Sequence, residues 1–383
     1  MNNPAPMPTA RTRAGIRRWR PASGPLLTTV ANFAIAALTA LTTAALGLIV
    51  EDLLPLKPPR QVSPERATLL AAALVLLFAA VLWRSLIHRR TGTLFYVRLL
   101  ADDMPDLHDT AIQIAARRRM SLKSVTRWAD LPTHTHQSVI DLSATCADIA
   151  AALETVINTD RDDTAYTIAP NILWPAALAI GAELPIVDDL QLLELPDPRT
   201  PQPITFTLTK AVTPATLVTE ELPLDTTTPD APVGLILAFA PAAARMTPQV
   251  TYAEYPISRC QRIRPAATED ITQLSRTTFT GPEIATFAKP LTEAIIAVQN
   301  QSGAREVIIA AAMPKVLAMA IGWHLAQATT RFFTNTRLLH YDQETNTYIP
   351  IRAHPAQATR PPAKLPSAHR PNGAETAEAD LGS

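Results

Sequence analysis

The feature that most constrains the fold is a strand, turn and helix that occur twice in the chain. Residues 307–325 read VIIAAAMPKVLAMAIGWHL, a continuous apolar run, a turn, and apolar residues at helical spacing. Residues 166–184, YTIAPNILWPAALAIGAEL, align with them at an offset of 141 residues. The positions of the first copy that are identical in the second are Ile168, Ala169, Ala177, Ala179, Ile180, Gly181 and Leu184.

Other segments extend the repeat beyond this stretch. At the same offset, the apolar run 95–99 falls on 236–240, and the helical pattern 148–157 falls on 289–298. Past the repeat, QLLEL (191–195) matches RLLHY (337–341) if about five residues are inserted in the second copy. The shared order predicts a duplicated α/β unit, with two unrelated alanine-rich helices as the alternative.

Composition narrows the classes of function. Lysine plus arginine equals aspartate plus glutamate, at 34 each, so no global charge indicates a nucleic-acid polymer as partner. The two cysteines, Cys146 and Cys260, lack CxxC or Cys/His spacing, which predicts a reduced compartment and no metal site. No nucleotide-loop, hydrolase or metalloprotease motif is found, so we expect a binding protein without catalytic residues or cofactor.

Two uncharged runs near the N-terminus predict a transmembrane hairpin. The first, 26–50, is long enough to cross a bilayer, and the second, 67–83, reaches spanning length if the residues after Trp83 are counted. Arginines precede the first run and follow the second, so both termini and the large C-terminal part are predicted to be cytoplasmic. We therefore expect a multi-pass protein of the inner membrane.

One face of the first span carries a polar amide and small residues at intervals of four: Asn32, Ala36, Ala40 and Ala44. Such a face lets helices approach closely and lets the amide bond across the contact, which predicts self-association in the membrane. The alternative is that alanine is simply abundant in this chain.

These observations give a predicted fold class and layout. The fold is α/β: a transmembrane hairpin followed by a pseudo-dimeric pair of Rossmann-like units. The predicted segments are a basic tail (1–24), two spans with a short outer loop (25–88), a first half (91–208), a linker (209–232), a second half (233–352) and a disordered tail (353–383).

The ligand site is predicted at the carboxyl ends of the strands, where the two halves meet. Helix N-termini on both sides favour a nearly symmetric ligand that carries several phosphates. From the turns, Asn171 could read a base edge, Trp174 could stack on a base and Lys315 could bind a phosphate. Packing between helices for Trp174 and simple solvation for Lys315 are the alternatives. The remaining candidates are Met313 in the second turn and Arg98 and Arg245 near the first strand of each half.

The second copy of the repeat, together with the segment that follows it, resembles a known family. The strand, the turn with Pro314, the helix with Ala318 and Gly322, and the closing segment RLLHYDQETNTYIP resemble the SAVED domain of bacterial CBASS anti-phage effectors over about residues 91–352. The resemblance implies two CARF-like units that bind a cyclic oligonucleotide made by a partner CD-NTase, a cGAS-like nucleotidyltransferase.

With two spans in place of a nuclease or TIR domain, the chain resembles the membrane-disrupting type of effector. The resemblance implies that a cyclic di- or trinucleotide induces homo-oligomers, which breach the lipid bilayer and cause abortive infection. Two alternatives remain open: a membrane-anchored, ring nuclease-like enzyme that degrades the cyclic nucleotide, or a structural subunit of a membrane complex.

Overall fold

The structure is a computed structural model, and it consists of two compact units, residues 1–87 and 88–383. It describes residues 24–53, 64–90, 92–100, 105–129, 139–160, 165–187, 189–196, 202–210, 212–225, 228–266, 279–328, 331–342 and 345–363. The predicted basic tail therefore lies outside the described residues except for Gly24.

The first unit contains the two predicted apolar helices, α1 (Gly24–Leu53) and α2 (Pro64–Arg90). Val30–Glu51 and Pro64–Arg84 are long and apolar enough to cross a membrane. The guanidinium of Arg66 donates to the carbonyl of Leu48 at 3.4 Å, which joins the end of α1 to the start of α2.

The shielded side chains of both helices recur every three or four residues, as expected for a pair that packs along one seam. On α1 they include Ala31, Ile35, Leu38, Thr42, Ala45 and Ile49, and on α2 Arg66, Leu70, Ala73, Leu77, Ala80 and Arg84. The predicted self-association residues Asn32, Ala36, Ala40 and Ala44 lie outside this seam and are exposed.

The second unit begins with a five-stranded sheet in the order β2-β1-β4-β5-β6. Its strands are β1 (Thr93–Leu100), β2 (Ser121–Trp128), β4 (Tyr166–Asn171), β5 (Gln191–Glu194) and β6 (Ile204–Thr207). The helices of this half are α3 (His108–Arg118), α4 (Ser143–Asn158) and α5 (Trp174–Ala182). All pairs are parallel except β5 with β6.

A seven-stranded sheet follows in the order β3-β12-β11-β10-β8-β9-β7. Its strands are β3 (Ile140–Asp141), β7 (Leu217–Leu222), β8 (Val233–Ala238), β9 (Arg259–Pro265), β10 (Val307–Ala312), β11 (Thr336–Asp342) and β12 (Thr347–Arg352). The helices are α6 (Pro248–Thr251), α7 (Gly281–Ser302) and α8 (Lys315–Gln327), with 3₁₀ turns at Pro241–Arg245 and Phe332–Asn335. The predicted α/β class, with Rossmann-like parallel strands, is confirmed.

The strand ladders test the repeat residue by residue. β4 and β10 occupy the same place in the two sheets, and the match of QLLEL to RLLHY is confirmed because Gln191 pairs with Thr167 as Arg337 pairs with Ile308. The alignment of the first strand was wrong by one residue. Thr93 pairs with the start of β4 and Val233 with the start of β10, so β1 and β8 correspond at an offset of 140.

The two halves meet where α5 crosses α8. A Cβ at Gly181 would overlap the carbonyl oxygen of Met319, and a Cβ at Gly322 would overlap that of Leu178. Both glycines and both carbonyls are related by the offset of 141, so the contact is reciprocal. The repeated glycine is therefore required by a close approach of two backbones.

Each half also contributes an element that packs on the last strand of the other half. The short strand β3, which precedes α4, pairs with β12 of the second half, while α7 packs on β6 of the first. The range 209–232, predicted as a linker, contains β7, which pairs with β9 as the edge strand of the second sheet.

The predicted start of the disordered tail at residue 353 was wrong. Ala353 and Gln357 are buried, and the amide of Gln357 donates to the carbonyl of Thr336 at 3.2 Å. The guanidinium of Arg337 donates to the carbonyls of Ala358 and Arg360. Composition missed this segment because most of its recorded hydrogen bonds involve its backbone or the side chain of Gln357, and the apolar residue that it buries, Ala353, is small. The other proposed domain limits stay predictions.

Candidate ligand-binding cleft at the strand ends

The turns that follow β4 and β10 come together at the carboxyl end of the first sheet. Asn171 is the last residue of β4, and Lys315 is the first residue of α8. The ammonium of Lys315 donates to Oδ1 of Asn171 at 3.2 Å. Two predicted site residues, 144 positions apart, are thus in direct contact.

Asn171 is held on its other side as well. Its Nδ2 donates to the hydroxyl of Tyr96 at 3.1 Å and to the carbonyl of Pro105 at 3.0 Å. The side chain is only 1% exposed, so its amide is fully engaged in this conformation. Asn171 therefore connects β1, the segment before α3 and the start of α8, and a role in reading a base stays a prediction.

The neighbouring strand β1 adds a charged pair beside this amide. Arg98 is the ladder partner of Asn171 and forms an ion pair with Asp106 at 3.1 Å. The rings of Tyr96 and His108 lie 5.6 Å apart. Burial raises the pKa of the Tyr96 phenol, so the hydroxyl stays protonated. Tyr96, Asp106 and His108 were missed because nothing in their spacing marks them.

The N-terminus of α8 is already occupied by a carboxylate. The backbone N–H of Val316 donates to Oε2 of Glu194 at 2.9 Å, and Glu194 is the last residue of β5. This is the anion that a helix N-terminus favours, here supplied by the other half of the chain. The match of QLLEL to RLLHY placed Glu194 at a strand end and could have drawn attention to it.

The equivalent pair of elements, α5 of the first half and β11 of the second, has different chemistry. Trp174 stands where α8 has Lys315, Pro175 where it has Val316, and His340 where β5 has Glu194. Trp174 is 7% exposed and belongs to the core, as in the packing alternative, and its indole N–H has no partner among the described residues. Burial lowers the pKa of His340 to about 4, so this ring is neutral at pH 7.

The two other predicted residues differ in their surroundings. Met313 is half-buried and packs against the main hydrophobic core. Arg245 is exposed on the 3₁₀ turn after β8 and forms no ion pair with any residue that the structure describes. The structure therefore joins Lys315, Asn171 and Arg98 in one cluster and does not join Arg245 to it.

A cavity of about 370 Å³ lies elsewhere in the second unit. It is lined by α4, the C-terminal end of α5 and the segment after β12, including Cys146, Glu183 and His354. Because α5 begins at the strand ends, this cavity is at the other end of that helix from the cluster. No group of three histidine, cysteine or acidic side chains that could hold a metal ion occurs in the described part of the chain.

Comparisons with known proteins gave matches only among solved structures, since no family model and no curated protein matches the chain. The Acinetobacter baumannii Cap4 SAVED/CARF-domain containing receptor with 2'3'3'-cAAA matches with a TM-score of 0.41 and 12% identity, over 76% of this chain and 60% of that one. The Moraxella osloensis Cap4 SAVED/CARF-domain containing receptor matches with a TM-score of 0.35 and 11% identity, over 79% of this chain and 59% of that one. The chain thus spans about 60% of the solved structures that it matches.

Proposed function

We propose that this protein is a membrane-anchored sensor that binds a cyclic oligonucleotide in the cleft between its two halves. The observation that carries the proposal is the contact of Lys315 with Asn171, which joins the turns of both halves at the strand carboxyl ends. Ligands of open α/β sheets bind at this edge. Lys315 supplies the point charge for a phosphate, and Arg98 supplies a second cation beside it.

We propose that α1 and α2 anchor the sensor in the inner membrane, with both termini and the sensor in the cytoplasm. The hydroxyls of Thr39, Thr42 and Thr43 donate to carbonyls four residues earlier, so these polar groups are satisfied within α1. Large apolar side chains such as Phe33, Val75 and Phe78 are more than 60% exposed, as suits lipid contact.

Ligand binding would produce homo-oligomers, which bring several hairpins together. The exposed face with Asn32, Ala36, Ala40 and Ala44 is then available for contacts between hairpins, because it is not used within one. Assembly raises the local concentration of hairpins and disrupts the bilayer without a catalytic step. A partner CD-NTase would supply the ligand in an infected cell.

The test uses the full chain in liposomes that contain a fluorescent dye. The first ligands are 2'3'3'-cAAA and 3'3'3'-cAAA, which the Cap4 structures hold, followed by cyclic dinucleotides. We expect calorimetric binding, ligand-dependent oligomers and dye release. Ala40→Leu should abolish release while binding persists, and Ala71→Leu, at an exposed position of α2, is the matched control. Binding without oligomers would contradict the mechanism, and linear products would support the nuclease alternative.

A further inference from the structure

Glu194 fills a position that a ligand phosphate would use. Its carboxylate accepts the N–H of Val316 in the first turn of α8, and the side chain is half-buried. In the same turn, the ammonium of Lys315 is bonded to Asn171. In this conformation, a backbone N–H and a cation that could bind a phosphate are both bonded to acceptors of the protein.

The equivalent pair of elements, α5 of the first half and β11 of the second, shows that the fold does not need this carboxylate. There the same strand, turn and helix form with His340 in place of Glu194. Pro175 stands in place of Val316 and has no N–H to donate. The bond between Glu194 of the first half and α8 of the second is therefore formed at only one of these two equivalent places.

A second observation comes from the matching position in α5. Trp174 occupies the place of Lys315, is more than nine-tenths buried, and has an indole N–H without a partner among the residues described. A buried N–H without a hydrogen bond is costly, so a ligand acceptor would be favoured there. At the start of α8, the ammonium of Lys315 and the N–H of Val316 are bonded to other residues of the chain. At the start of α5, the indole N–H of Trp174 has no partner among the described residues.

We propose that Glu194 is a built-in competitor of the ligand. This rests on the proposed function, because the ligand's phosphate would replace the carboxylate on the N–H of Val316. Two negative groups at one helix end repel each other, so Glu194 must move away before the phosphate can bind. Glu194 thereby raises the ligand concentration at which the sensor responds.

The experiment compares the full-length wild-type chain in detergent micelles with Glu194→Gln. Glutamine keeps an oxygen that accepts the N–H of Val316 but removes the charge. We expect Glu194→Gln to bind 3'3'3'-cAAA about tenfold more tightly or better, since like-charge contacts are strongly unfavourable. Glu154→Gln makes the same change of charge at an exposed position of α4 and should bind as the wild type does.

A double mutant separates competition from a general change in structure. If Glu194 acts on the phosphate that Lys315 binds, the gain from Glu194→Gln should shrink in the Lys315→Gln background. Circular dichroism and thermal unfolding confirm that each variant is folded.

The outcomes are distinguishable. Wild type that binds the cyclic trinucleotide, with Glu194→Gln binding equally or more weakly, overturns the inference and leaves the proposed function in place. Failure of both proteins to bind any cyclic nucleotide in the panel overturns the proposed function and this inference together.

Discussion

The two halves of the second unit are alike where α5 crosses α8 and unlike at the turns that precede these helices. At the helix crossing, Gly181 and Gly322 make the same contact with the opposite backbone. At the start of α8, Lys315 of the second half lies beside the carboxylate of Glu194 of the first, whereas the matching residues are Trp174 of the first half and His340 of the second. The shared contact joins the two halves, while the start of α8 carries a lysine and the start of α5 carries a buried tryptophan.

The largest effect is expected at the crossing, where the halves are most alike. Gly181→Ala or Gly322→Ala places a Cβ on a carbonyl oxygen of the backbone, which cannot rotate away. Overpacking of this kind costs about 3 kcal/mol or more. Urea unfolding of the full chain in micelles should give equal losses for the two variants, and a loss for the double mutant smaller than their sum.

Gly47→Ala is the control for that comparison, because a Cβ at Gly47 has no atom within 4 Å. It should leave the free energy of unfolding unchanged or slightly raised. Unequal losses for Gly181→Ala and Gly322→Ala would contradict the reciprocal packing.

The next largest effect concerns His340, which stands at the position of Glu194 in the repeat. The pKa of His340 is lowered by burial to about 4 in the folded chain, and an unfolded histidine has a pKa near 6.5. Between these pH values the unfolded state binds a proton that the folded state does not. His340 therefore leaves the free energy of unfolding unchanged above pH 6.5 and lowers it as the pH falls from 6.5 toward 4. The loss is on the order of 2–3 kcal/mol.

His340→Gln should therefore flatten the dependence of the free energy of unfolding on pH between 7 and 4.5. Burial also lowers the pKa of His354, so His354→Gln serves as the comparison for a histidine at the other end of α5. A wild-type slope that persists in His340→Gln would show that other groups cause it.

A third prediction concerns the proposed phosphate contact of Lys315. Lys315→Ala should weaken binding of a cyclic oligonucleotide by about 2 kcal/mol, or roughly 30-fold, because a charge-assisted bond to phosphate is lost. Lys289→Ala removes the same charge from an exposed position of α7 and should leave the affinity unchanged. Calorimetry measures both, and equal affinities would place the phosphates elsewhere.

The smallest effect is expected where β3 of the first half pairs with β12 of the second. Arg352 of β12 donates to Asp141 at 2.6 Å and to the hydroxyl of Ser143 at 2.9 Å, whereas β6 has Thr207 at the matching ladder position. Asp141 is half-exposed, so Asp141→Asn should cost only about 1 kcal/mol.

The pKa of Asp141 gives this contact a second test. Burial opposes its ionisation, but bonds from Ser143 and Arg352 outweigh this and hold its pKa below the ordinary value. Its contribution is therefore present above the ordinary pKa of aspartate and disappears as pH falls below it. Asp141→Asn should remove that contribution, and Arg360→Ala, at an exposed position, should not.

Much of the architecture could be predicted from local patterns. Continuous apolar runs predicted β4 and β10, and helical spacing predicted α5 and α8, because both report burial of one short element. The first strand was misaligned by one residue because two short apolar runs match equally well in either register. Only the ladder to a neighbouring strand distinguishes the registers.

The sequence by itself determined the two apolar helices, the duplication and the glycine shared by both copies. Tertiary structure alone decided that Lys315 bonds to Asn171 and that Glu194 occupies the start of α8. The physical reason is distance along the chain, since these partners are 144 and 122 residues apart. Periodicity records which side chains are buried, but the partner of a polar group is set only when distant segments meet.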